Sequence, residues 1–436
     1  MRRAARVPAR IVNALRRVKL TGTIVDLDHG RTRSGAELAG LAHALVAREG
    51  IRAGQRIGMI AHASSDVFVA QLACMIAGAT FVPLSWRATE RELDAILASC
   101  GARVITVGEL AAPAAEPIAI DPEAIVQRLF TSGTTGAPRG IAIRGRQLIE
   151  NARATITTCA LTDRDRVYAC LPMFHTGGLN CLATPALAAG ATVYVARFDA
   201  RSAVTAISDH AITSIVAVPA MYERMLDAGL RAGSLRNALV GGAPVGETLR
   251  TRAKHAGLAL RQGYGSTEAG PNLFDFGDDT VGWPVPNLEV RIELGELWLR
   301  GPQVSESGID EDGWLHTGDL VECTARGYRI VGRAKDMYIS GGENVYPAEV
   351  ELAIAEHPDI AEVAVVGVAD PKWGEVGAAM IVPRTAISTD ALATWLRTRI
   401  AGYKVPRTWR VLDELPRTST GKVARGVLRE LVSQHG

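Results

Sequence analysis

The 436-residue chain lacks several features that would place it in a specialised class of protein. Its six cysteines are far apart and form no Cys-X-X-Cys pair. This argues against a disulfide scaffold or a zinc site and favours reduced, partly buried thiols in a cytoplasmic protein. No apolar run reaches the roughly 18 residues that a membrane-spanning helix needs. A net charge of only +2 gives no indication of nucleic-acid binding or stable membrane association.

The first twenty residues are the one strongly basic stretch. They hold six Arg, one Lys and no acidic residue. They lack the apolar core of a signal peptide, and Pro8 interrupts a helix. We interpret the stretch as a solvated basic lead-in, with a targeting segment or a membrane-surface helix as the alternative.

Short apolar runs alternate with helical patterns through most of the chain. Ser34 with Glu37, and Thr89 with Glu92, have the spacing of helix capping boxes. The patterns predict helices at 66–78 and 88–100, and strands at 56–62, 80–84, 103–107, 192–197, 214–219 and 237–242. Such alternation predicts an α/β fold with mostly parallel sheets.

The pattern changes after about residue 285. Residues 288–302 alternate with a period of two, as in an antiparallel hairpin, and predict a β-rich subdomain. A compact α+β pattern follows, with helices at 347–356, 388–400 and 423–433 and strands near 361–368, 376–382 and 408–413. We therefore predict a large N-terminal domain at 1–332 and a small mobile C-terminal domain at 336–436.

The segment LFTSGTTGAPRG, residues 129–140, combines flexible glycines with four hydroxyl side chains. Gly133 and Gly136 allow the backbone to approach a ligand, and converging N–H groups bind anions. Arg139 adds a planar donor fork for phosphate. The loop predicts a polyphosphate site, with an ordinary surface turn as the alternative. It lacks the GxxxxGK[ST] pattern of a Walker A loop. A helical-looking segment follows it.

This loop resembles the signature of the adenylate-forming (AMP-binding) superfamily, which contains acyl-CoA synthetases, aryl-CoA ligases, adenylation domains and luciferases. Nine further segments match in order over about residues 30–430: LPMFHTGGL (171–179), VPAMYERM (218–225), GGAPV (241–245), QGYGSTEAG (262–270), VGWPVPN (281–287), GWLHTGDL (313–320), GYRIVGRAKDMYISGGENVYPAEVE (327–351), DPKWGE (370–375) and PRTSTGKVAR (416–425). The resemblance implies an ATP-dependent carboxylic acid–CoA ligase that forms an acyl-adenylate, releases pyrophosphate and then makes a thioester. Its co-substrates are ATP and coenzyme A, with Mg²⁺ as cofactor.

The resemblance also assigns the nucleotide site. Tyr264 stacks on adenine, and Asp319 and Arg333 bind the ribose, with a structural ion pair as the alternative. Glu268 holds Mg²⁺ together with Thr135. The other residues assigned to ATP or AMP are Thr131, Ser132, Gly133, Thr134, Gly136, Arg139, Gly242, Ala243, Pro244, Gln262, Gly263, Gly265 and Thr267.

Lys422 matches the catalytic lysine of the C-terminal domain, whose ammonium bridges the α-phosphate and the attacking carboxylate. Glu268, Thr267 and His175 complete the implied catalytic set, although His175 is alternatively a core histidine. The implied acyl pocket contains His175, Gly177, Gly178, Gly241, Gly242, Gly265 and Ala269.

Lys335 matches the hinge about which the small domain of the family rotates between the two half-reactions. The resemblance places the pantetheine tunnel of CoA at Ser340, Gly341 and Gly342. Trp373 is assigned to the nucleotide end of CoA, with simple packing as the alternative.

The sequence departs from the family in two places. Arg139 stands where most members have Lys, which keeps the charge and changes its geometry. The chain is also short before the glycine loop, where residues 101–130 replace a longer stretch. The segment 175–182 carries no acid to pair with an ammonium, which argues against a free α-amino acid as substrate.

Small residues at 177, 178, 243 and 270 suggest room for an aryl or medium-chain acyl group. A carrier-protein thiol or a non-thiol nucleophile stays open as the acceptor in place of CoA. A non-catalytic nucleotide-binding relative is the alternative from another class. The expected partners are small molecules, and a homodimer is left open.

Overall fold

The computed structural model describes residues 17–18, 20–113, 118–132, 138–418 and 422–433. The chain forms two compact units. The first consists of Met1–Ala243, Arg252–Val290 and Leu299–Leu315, and the second of Pro244–Thr251, Arg291–Trp298 and His316–Gly436. Within the described part, no helix has both the length and the apolar character needed to cross a membrane.

The strands of the first unit belong to three sheets. In chain order they are β1 (Arg17–Val18), β2 (Thr23–Asp26), β3 (Arg31–Ser34), β4 (Arg56–Ile60), β5 (Thr80–Leu84), β6 (Arg103–Val104), β7 (Ile118–Ala119), β8 (Ile125–Ser132), β9 (Pro138–Arg144), β10 (Arg166–Ala169), β11 (Thr192–Val195), β12 (Ser214–Ala217), β13 (Asn237–Val240) and β14 (Leu260–Gln262). Seven form a sheet in the order β14-β13-β12-β10-β11-β2-β3, five form β6-β4-β5-β8-β9, and β1 pairs with β7.

Both large sheets are parallel except at one edge. In the seven-stranded sheet only β3 runs antiparallel to its neighbour, and in the five-stranded sheet only β9 does. The helices of this part of the chain are α1 (Gly35–Glu49), α2 (Ser65–Ala77), α3 (Glu90–Cys100), α4 (Gly145–Thr158), α5 (Thr176–Leu179), α6 (Ala183–Ala188), α7 (Ala200–Asp209), α8 (Pro219–Asp227) and α9 (Glu247–His255). The first five residues of α9 belong to the second unit. The predicted α/β fold with mostly parallel sheets is confirmed.

Local chemistry explains where the helices begin and end. Ser34 and Glu37 form a capping box at α1, and Thr89 and Glu92 form one at α3. Helix α2 carries a single charged residue, Asp66, and most of its circumference is buried. A helix that is apolar almost all round must lie inside the core, and Phe68 on α2 packs in one cluster with residues of both large sheets.

The second unit contains two sheets. Its strands are β15 (Glu289–Glu293), β16 (Glu296–Arg300), β17 (Leu315–Thr324), β18 (Gly327–Arg333), β19 (Tyr338–Ser340), β20 (Glu343–Val345), β21 (Ile360–Asp370), β22 (Gly374–Pro383) and β23 (Thr408–Val411). The first four form one sheet in chain order, mainly within this unit, and are the predicted β-rich subdomain. The other five form the order β20-β19-β22-β21, with β23 beside β22.

Helices α10 (Pro347–Ala355), α11 (Thr389–Arg397) and α12 (Arg425–Ser433) cover the five-stranded sheet. Val365 of β21 belongs to a cluster with α10 and α11, whereas the next residue, Val366, belongs to a cluster with α12. This follows from strand geometry, because successive side chains point to opposite faces. The sheet is therefore covered on both sides, as the compact α+β pattern predicted.

Two expectations about local structure are wrong. The segment after the glycine loop is a strand, β9, and the helix α4 begins only at Gly145. Pairing with β8 decides this, since Thr131 lies opposite Arg139 in the antiparallel ladder. The strand expected at 103–107 is shorter, Arg103–Val104. The division into compact units does not test the hinge at Lys335 or the domain limits 1–332 and 336–436, which stay predictions.

Candidate active site

Four matched segments of the first unit follow strands of its seven-stranded sheet. The loops that begin at Cys170, Val218, Gly241 and Gly263 follow the carboxyl ends of β10, β12, β13 and β14, and these strands are neighbours and parallel. Carboxyl ends of parallel strands meet at the same edge, which is where open α/β sheets bind ligands. The sheet order therefore gathers segments that are far apart in the sequence.

The glycine loop connects two antiparallel strands, β8 and β9. Gly133, Thr134, Thr135 and Gly136 lie outside the described residues, as does the side chain of Ser132. Of the flanking residues, the Thr131 hydroxyl lies 3.5 Å from the carbonyl oxygen of Arg139. The exposed Arg139 guanidinium donates to the carbonyl of Ser307 at 3.4 Å. This long bond uses one of the five N–H donors of the guanidinium.

The segment after β14 forms a tight turn. The Ser266 amide donates to the carbonyl of Gly270 at 2.9 Å, and the Ser266 hydroxyl accepts from the amide of the buried Ala269 at 3.1 Å. Gly265 is required here, because a Cβ at this position would lie 2.3 Å from the carbonyl oxygen of Pro271. The turn fixes the backbone on which Thr267 and Glu268 stand.

Tyr264 and Glu268 are both half-buried. The Tyr264 ring meets Phe274 edge-on, with centroids 5.7 Å apart. The two rings are close to perpendicular, one of the arrangements that aromatic pairs favour. The carbonyl oxygen of Glu268 accepts from the Ser305 amide at 2.6 Å, so its backbone is anchored. The predicted residues Gln262, Gly263, Gly241, Gly242 and Ala243 lie in β14 and in the loops that follow β13 and β14, whereas Pro244 belongs to the second compact unit.

His175 precedes the short helix α5. Its ring lies 4.5 Å from that of Phe174, at an interplanar angle of 50°. The predicted pocket residue Gly178 is buried, and a Cβ there would lie 2.1 Å from the carbonyl oxygen of Pro172. The packing of α5 on its own lead-in therefore requires glycine at 178 whether or not an acyl group lies nearby, and Gly177 has more room.

Sequence reasoning missed a cluster of buried side-chain amides in the first unit. The amide cluster consists of Gln127 on β8, Gln147 and Asn151 on α4, Asn180 after α5, and Gln303. Asn180 Nδ2 donates to Gln127 Oε1 at 2.8 Å, and Asn151 Nδ2 donates to the carbonyl of Asn180 at 2.6 Å. The only local signal was a polar pair four residues apart, 147 and 151, on the buried stripe of α4.

In the second unit, Asp319 and Arg333 lie directly opposite each other on β17 and β18. Arg333 Nε is 2.7 Å from Asp319 Oδ1, and the carboxylate is buried while the guanidinium is half-exposed. The Asp319 amide donates to the Thr317 hydroxyl at 3.0 Å. The strand register thus brings together the two residues assigned to the ribose.

Lys335 lies in a single 3₁₀ turn, Ala334–Asp336, directly after β18. Asp336 in that turn forms ion pairs of 3.8 Å with Arg425 and with Arg429. Arg425 also pairs with Glu351 of α10 at 2.8 Å. Burial raises the pKa of Glu351, against the lowering effect of Arg425. We call Asp336, Glu351, Arg425 and Arg429 the ionic cluster.

Lys422 is exposed, and its backbone is held by a short turn. The carbonyl of Lys422 accepts from the Thr418 amide at 2.8 Å. Arg425, three residues further on, begins α12 and belongs to the ionic cluster. The residues between Thr418 and Lys422 lie outside the described part of the chain.

The four residues assigned to CoA lie together. Ser340 pairs with Gly374 across β19 and β22, and the Gly341 amide donates to the carbonyl of Trp373 at 2.9 Å. Gly341 has φ of 62°, and a Cβ there would lie 2.9 Å from the indole ring. Arg407 and Lys372 place their charges 4.7 and 5.1 Å from the Trp373 ring. Gly342 completes the turn.

The described residues contain no group of three or more His, Cys, Asp or Glu side chains suited to a metal. Glu268 offers one half-buried carboxylate at the turn described above.

Comparison with known proteins agrees with this arrangement. The chain matches the family model described as "AMP-binding enzyme" over residues 32–118 and 106–307, and "AMP-binding enzyme C-terminal domain" over 349–422. The two N-terminal matches meet before the glycine loop, where we expect the chain to be shortened. Solved structures give the same result: o-succinylbenzoate CoA synthetase from Bacillus subtilis with its acyl-adenylate intermediate has a TM-score of 0.86 at 28% identity, covering 97% of this chain and 98% of that one.

Two curated relatives match along nearly their whole length. Feruloyl-CoA synthase from Amycolatopsis is 36% identical, over 95% of this chain and 97% of its own. Indoleacetate–CoA ligase from Aromatoleum aromaticum is 35% identical over 93% of this chain and 94% of the ligase. The first alignment is 480 positions long, so it includes positions at which this 436-residue chain has no residue. The predicted resemblance is confirmed, and the chain belongs to the AMP-binding enzyme family of adenylate-forming proteins.

Proposed function

We propose that this chain activates a ring-containing carboxylic acid with ATP and transfers the acyl group to CoA. It is an ATP-dependent acid–thiol ligase of the AMP-forming type, which makes an acyl-adenylate with release of pyrophosphate and then a thioester. ATP and CoA are its co-substrates and Mg²⁺ its cofactor. The observation that carries this conclusion is the match to CoA ligases along nearly the whole chain.

In the adenylation step, the residues of the first unit hold the nucleotide. Tyr264 stacks on adenine, an assignment that rests on its place in the matched segment 262–270 and on its flat aromatic ring. Arg139 binds the distal phosphates, and Glu268 would hold Mg²⁺, which would supply positive charge to neutralise the phosphates. Arg139→Ala is therefore expected to weaken the affinity for ATP much more than that for AMP. Equal losses for the two nucleotides would place Arg139 elsewhere.

The residues of the second unit act on the sugar and the reacting atoms. The buried Asp319 carboxylate accepts from the ribose hydroxyls, and Arg333 fixes its orientation through their ion pair. The exposed Lys422 ammonium binds the α-phosphate oxygen and the acid's carboxylate as negative charge builds between them. The carboxylate oxygen attacks the α-phosphorus, and pyrophosphate leaves with the electron pair of the broken bond.

In the second step, the CoA thiolate attacks the acyl carbonyl carbon and AMP leaves. The turn at Ser340–Gly342 takes the pantetheine arm, since Gly342 is exposed and no described atom lies within 4 Å of a Cβ built there. Trp373, with Arg407 and Lys372 beside it, takes the nucleotide end, whose base and phosphates suit an indole flanked by cations. Lys335 is the pivot between the two steps, and the domains it separates are 1–332 and 336–436.

The acid is inferred to carry a ring. The relatives named above act, by their names, on ferulate and indoleacetate, and another is a 2-succinylbenzoate–CoA ligase from Bacillus subtilis. All three acids contain an aromatic ring. His175, Gly177 and the turn at Gly265–Ala269 are the proposed walls of the pocket for it.

The test measures ATP–pyrophosphate exchange with aromatic, cyclic and straight-chain acids, and then thioester formation with CoA or a carrier-protein thiol. We expect exchange to be fastest with a ring-containing acid and CoA to accept the product. Exchange limited to straight-chain acids would remove the ring requirement. An adenylate that no thiol accepts would favour a non-thiol nucleophile, and no exchange at all would favour a non-catalytic nucleotide-binding protein.

The oligomeric state and location stay proposals. All six cysteines are free and five are buried, which supports a reducing, cytoplasmic location. Sedimentation at enzyme-assay concentration would test the homodimer, and a single monomeric species would exclude it.

A further inference from the structure

A small, partly open cavity lies within the first unit, between helix α4, helix α5 and the turn that carries Thr267. It has room for about one water-sized group. Thr176, next to His175, and Thr267, next to Glu268, both line it. The cavity therefore adjoins two of the segments to which catalysis and acyl binding are assigned.

Three unpaired hydrogen-bond acceptors belong to side chains that line this cavity. Asn151 Oδ1, Asn180 Oδ1 and Gln303 Oε1 have no partner among the described residues, although the three residues are only 5%, 1% and 4% exposed. One donor of the amide cluster, Gln127 Nε2, is unpaired as well, but Gln127 does not line the cavity. Buried polar atoms are almost always hydrogen-bonded, because leaving one unpaired costs free energy. A set of three beside one cavity indicates that the cavity receives a donor.

The orientation of Asn151 is fixed by its other atom. Asn151 Nδ2 donates to the carbonyl of Asn180 at 2.6 Å, and a carbonyl can only accept, so Oδ1 must be the free end. This oxygen faces Gly270, where an added Cβ would lie 3.7 Å away. Gln303 is held through its backbone, because its carbonyl oxygen accepts from Gln147 Nε2 at 3.1 Å. Its side chain is therefore not required to hold the residue in place.

The lining also selects the chemical class of the donor. Among the described residues no Asp, Glu, Lys or Arg side chain lines the cavity, so neither an ammonium nor a carboxylate would find a counter-charge there. Three neutral acceptors suit a neutral group that donates. The available room fits a hydroxyl and excludes a second ring.

We propose that this cavity is a subsite for the acid, which takes a hydroxyl group of the acyl part through Asn151, Asn180 and Gln303. The proposal rests on the proposed function, because it presumes that an acid is activated beside Thr267. It narrows the substrate class from ring-containing acids to hydroxylated ones. A site built to bond a hydroxyl discriminates strongly against the analogue that lacks it.

The test compares 3-phenylpropenoic acid with its 2-, 3- and 4-hydroxy derivatives in ATP–pyrophosphate exchange. We expect one hydroxylated acid to exceed the parent acid at least tenfold in kcat/KM. Asn151→Leu and Gln303→Met should each remove most of that preference by slowing the hydroxylated acid, while kcat/KM for the parent acid stays within about twofold.

Gln71→Leu is the matched control. Gln71 is a buried amide of α2 with an unpaired Nε2, and it does not line the cavity, so this variant should keep the preference. Thermal unfolding checks that each variant is folded. If Asn151→Leu does not fold, because its bond to Asn180 is lost, Gln303→Met still gives the answer.

The outcomes separate the subsite from the function. Exchange that treats all four acids alike, or variants that slow parent and hydroxylated acids equally, would overturn the subsite and identify the cavity as a water site, with the ligase function intact. Absence of exchange with these acids and with every other acid of the panel would overturn both.

Discussion

Two clusters of polar side chains, one in each compact unit, differ in whether all of their members have a partner. The amide cluster of the first unit is neutral and, among the described residues, leaves three acceptors beside a cavity and the donor Gln127 Nε2 without a partner. In the ionic cluster of the second unit, each of the four charged side chains has an opposite charge within 3.8 Å. The unpaired acceptors of the amide cluster suit a ligand-binding site. The fully paired charges of the ionic cluster suit a structural scaffold, which holds segments of the chain together.

The scaffold joins segments that the proposed mechanism uses. Arg425 forms ion pairs with Asp336, next to Lys335, and with Glu351 of α10. Arg425 also lies only three residues after Lys422, at the start of α12. An arginine can do this because its guanidinium presents several donors in one plane. In the second unit, the residues that hold the loop of Lys422 are therefore distinct from Lys422 itself, the residue proposed to react.

Replacing Lys422, the residue proposed to react, should give the largest effect. In Lys422→Ala we expect adenylation to fall by about 10²–10³ or more, since a single donor to developing charge is worth that much and this one is ionised. Thioester formation from added acyl-adenylate should largely survive. Both half-reactions are followed in one preparation, with the exposed Lys254→Ala as control. Equal losses in the two half-reactions would contradict the assigned role.

Replacing the proposed pivot, Lys335, should affect one half-reaction more than the other. Lys335→Pro fixes φ near −65°. We expect pyrophosphate exchange to continue and thioester formation to fall about tenfold or more, because only the second step requires the dihedral angle to change. Circular dichroism confirms folding. A folded variant that makes thioester at the parent rate would rule out rotation at this residue.

Arg425 tests the comparison of the two clusters directly. Removing one partner of a buried ion pair costs about 3–5 kcal/mol, and partial exposure of this cluster reduces the expectation for Arg425→Ala to about 1–3 kcal/mol. Adenylation kcat should also fall with little change in KM, because the loop of Lys422 is less well held. Asn151→Leu should cost less stability, since that residue already has an unpaired atom.

Urea unfolding of the two variants measures the difference. Arg417→Ala is the control within the second unit, because Arg417 forms an exposed pair with Glu362. If Arg425→Ala is no more destabilised than Arg417→Ala, the ionic cluster is not a scaffold. If Asn151→Leu proves the less stable of the pair, the amide cluster is a structural element and the contrast fails.

Much of the fold could be predicted because its determinants are local. The capping pairs 34/37 and 89/92 lie within one helical turn, and both form in the structure. The strand β9 was missed because its partner strand, and not its own composition, decides its conformation. The pairing of two strands across a loop cannot be predicted from the hydrophobic periodicity of one of them.

The candidate site was predicted in part, for the same reason. The resemblance assigned Asp319 and Arg333 to one sugar, and the strand register places them opposite each other. Nothing in the sequence joined Gln127, Asn151 and Asn180, which come from a strand, a helix and a loop and look like solvated residues one at a time. Only the packing of α4 and α5 shows that they are buried together.

The smallest effect is expected from a third polar cluster, which is charged and exposed. Glu306 of the first unit pairs with Arg144 at 2.8 Å and with Arg146 at 2.7 Å, and its side chain is 52% exposed. Hydrogen bonds from Arg144 and then Arg146 lower the pKa of Glu306 from 4.5 to about 2. Because the pKa is lowered on folding, these bonds stabilise the fold fully above about pH 4.5, and the contribution is lost as the pH falls towards 2.

Solvent screening limits that contribution to about 1 kcal/mol or less. Glu306→Gln should therefore reduce the free energy of unfolding slightly at pH 7, and the difference from the parent should disappear as the pH approaches 2. Urea unfolding at several pH values measures this, with Glu311→Gln, an exposed acid of the same segment, as control. Added salt should shrink the difference at pH 7, because exposed charges are screened. A loss as large as that of Arg425→Ala, or one that persists at pH 2, would mean that charge and partner count, and not burial, set the strength of these clusters.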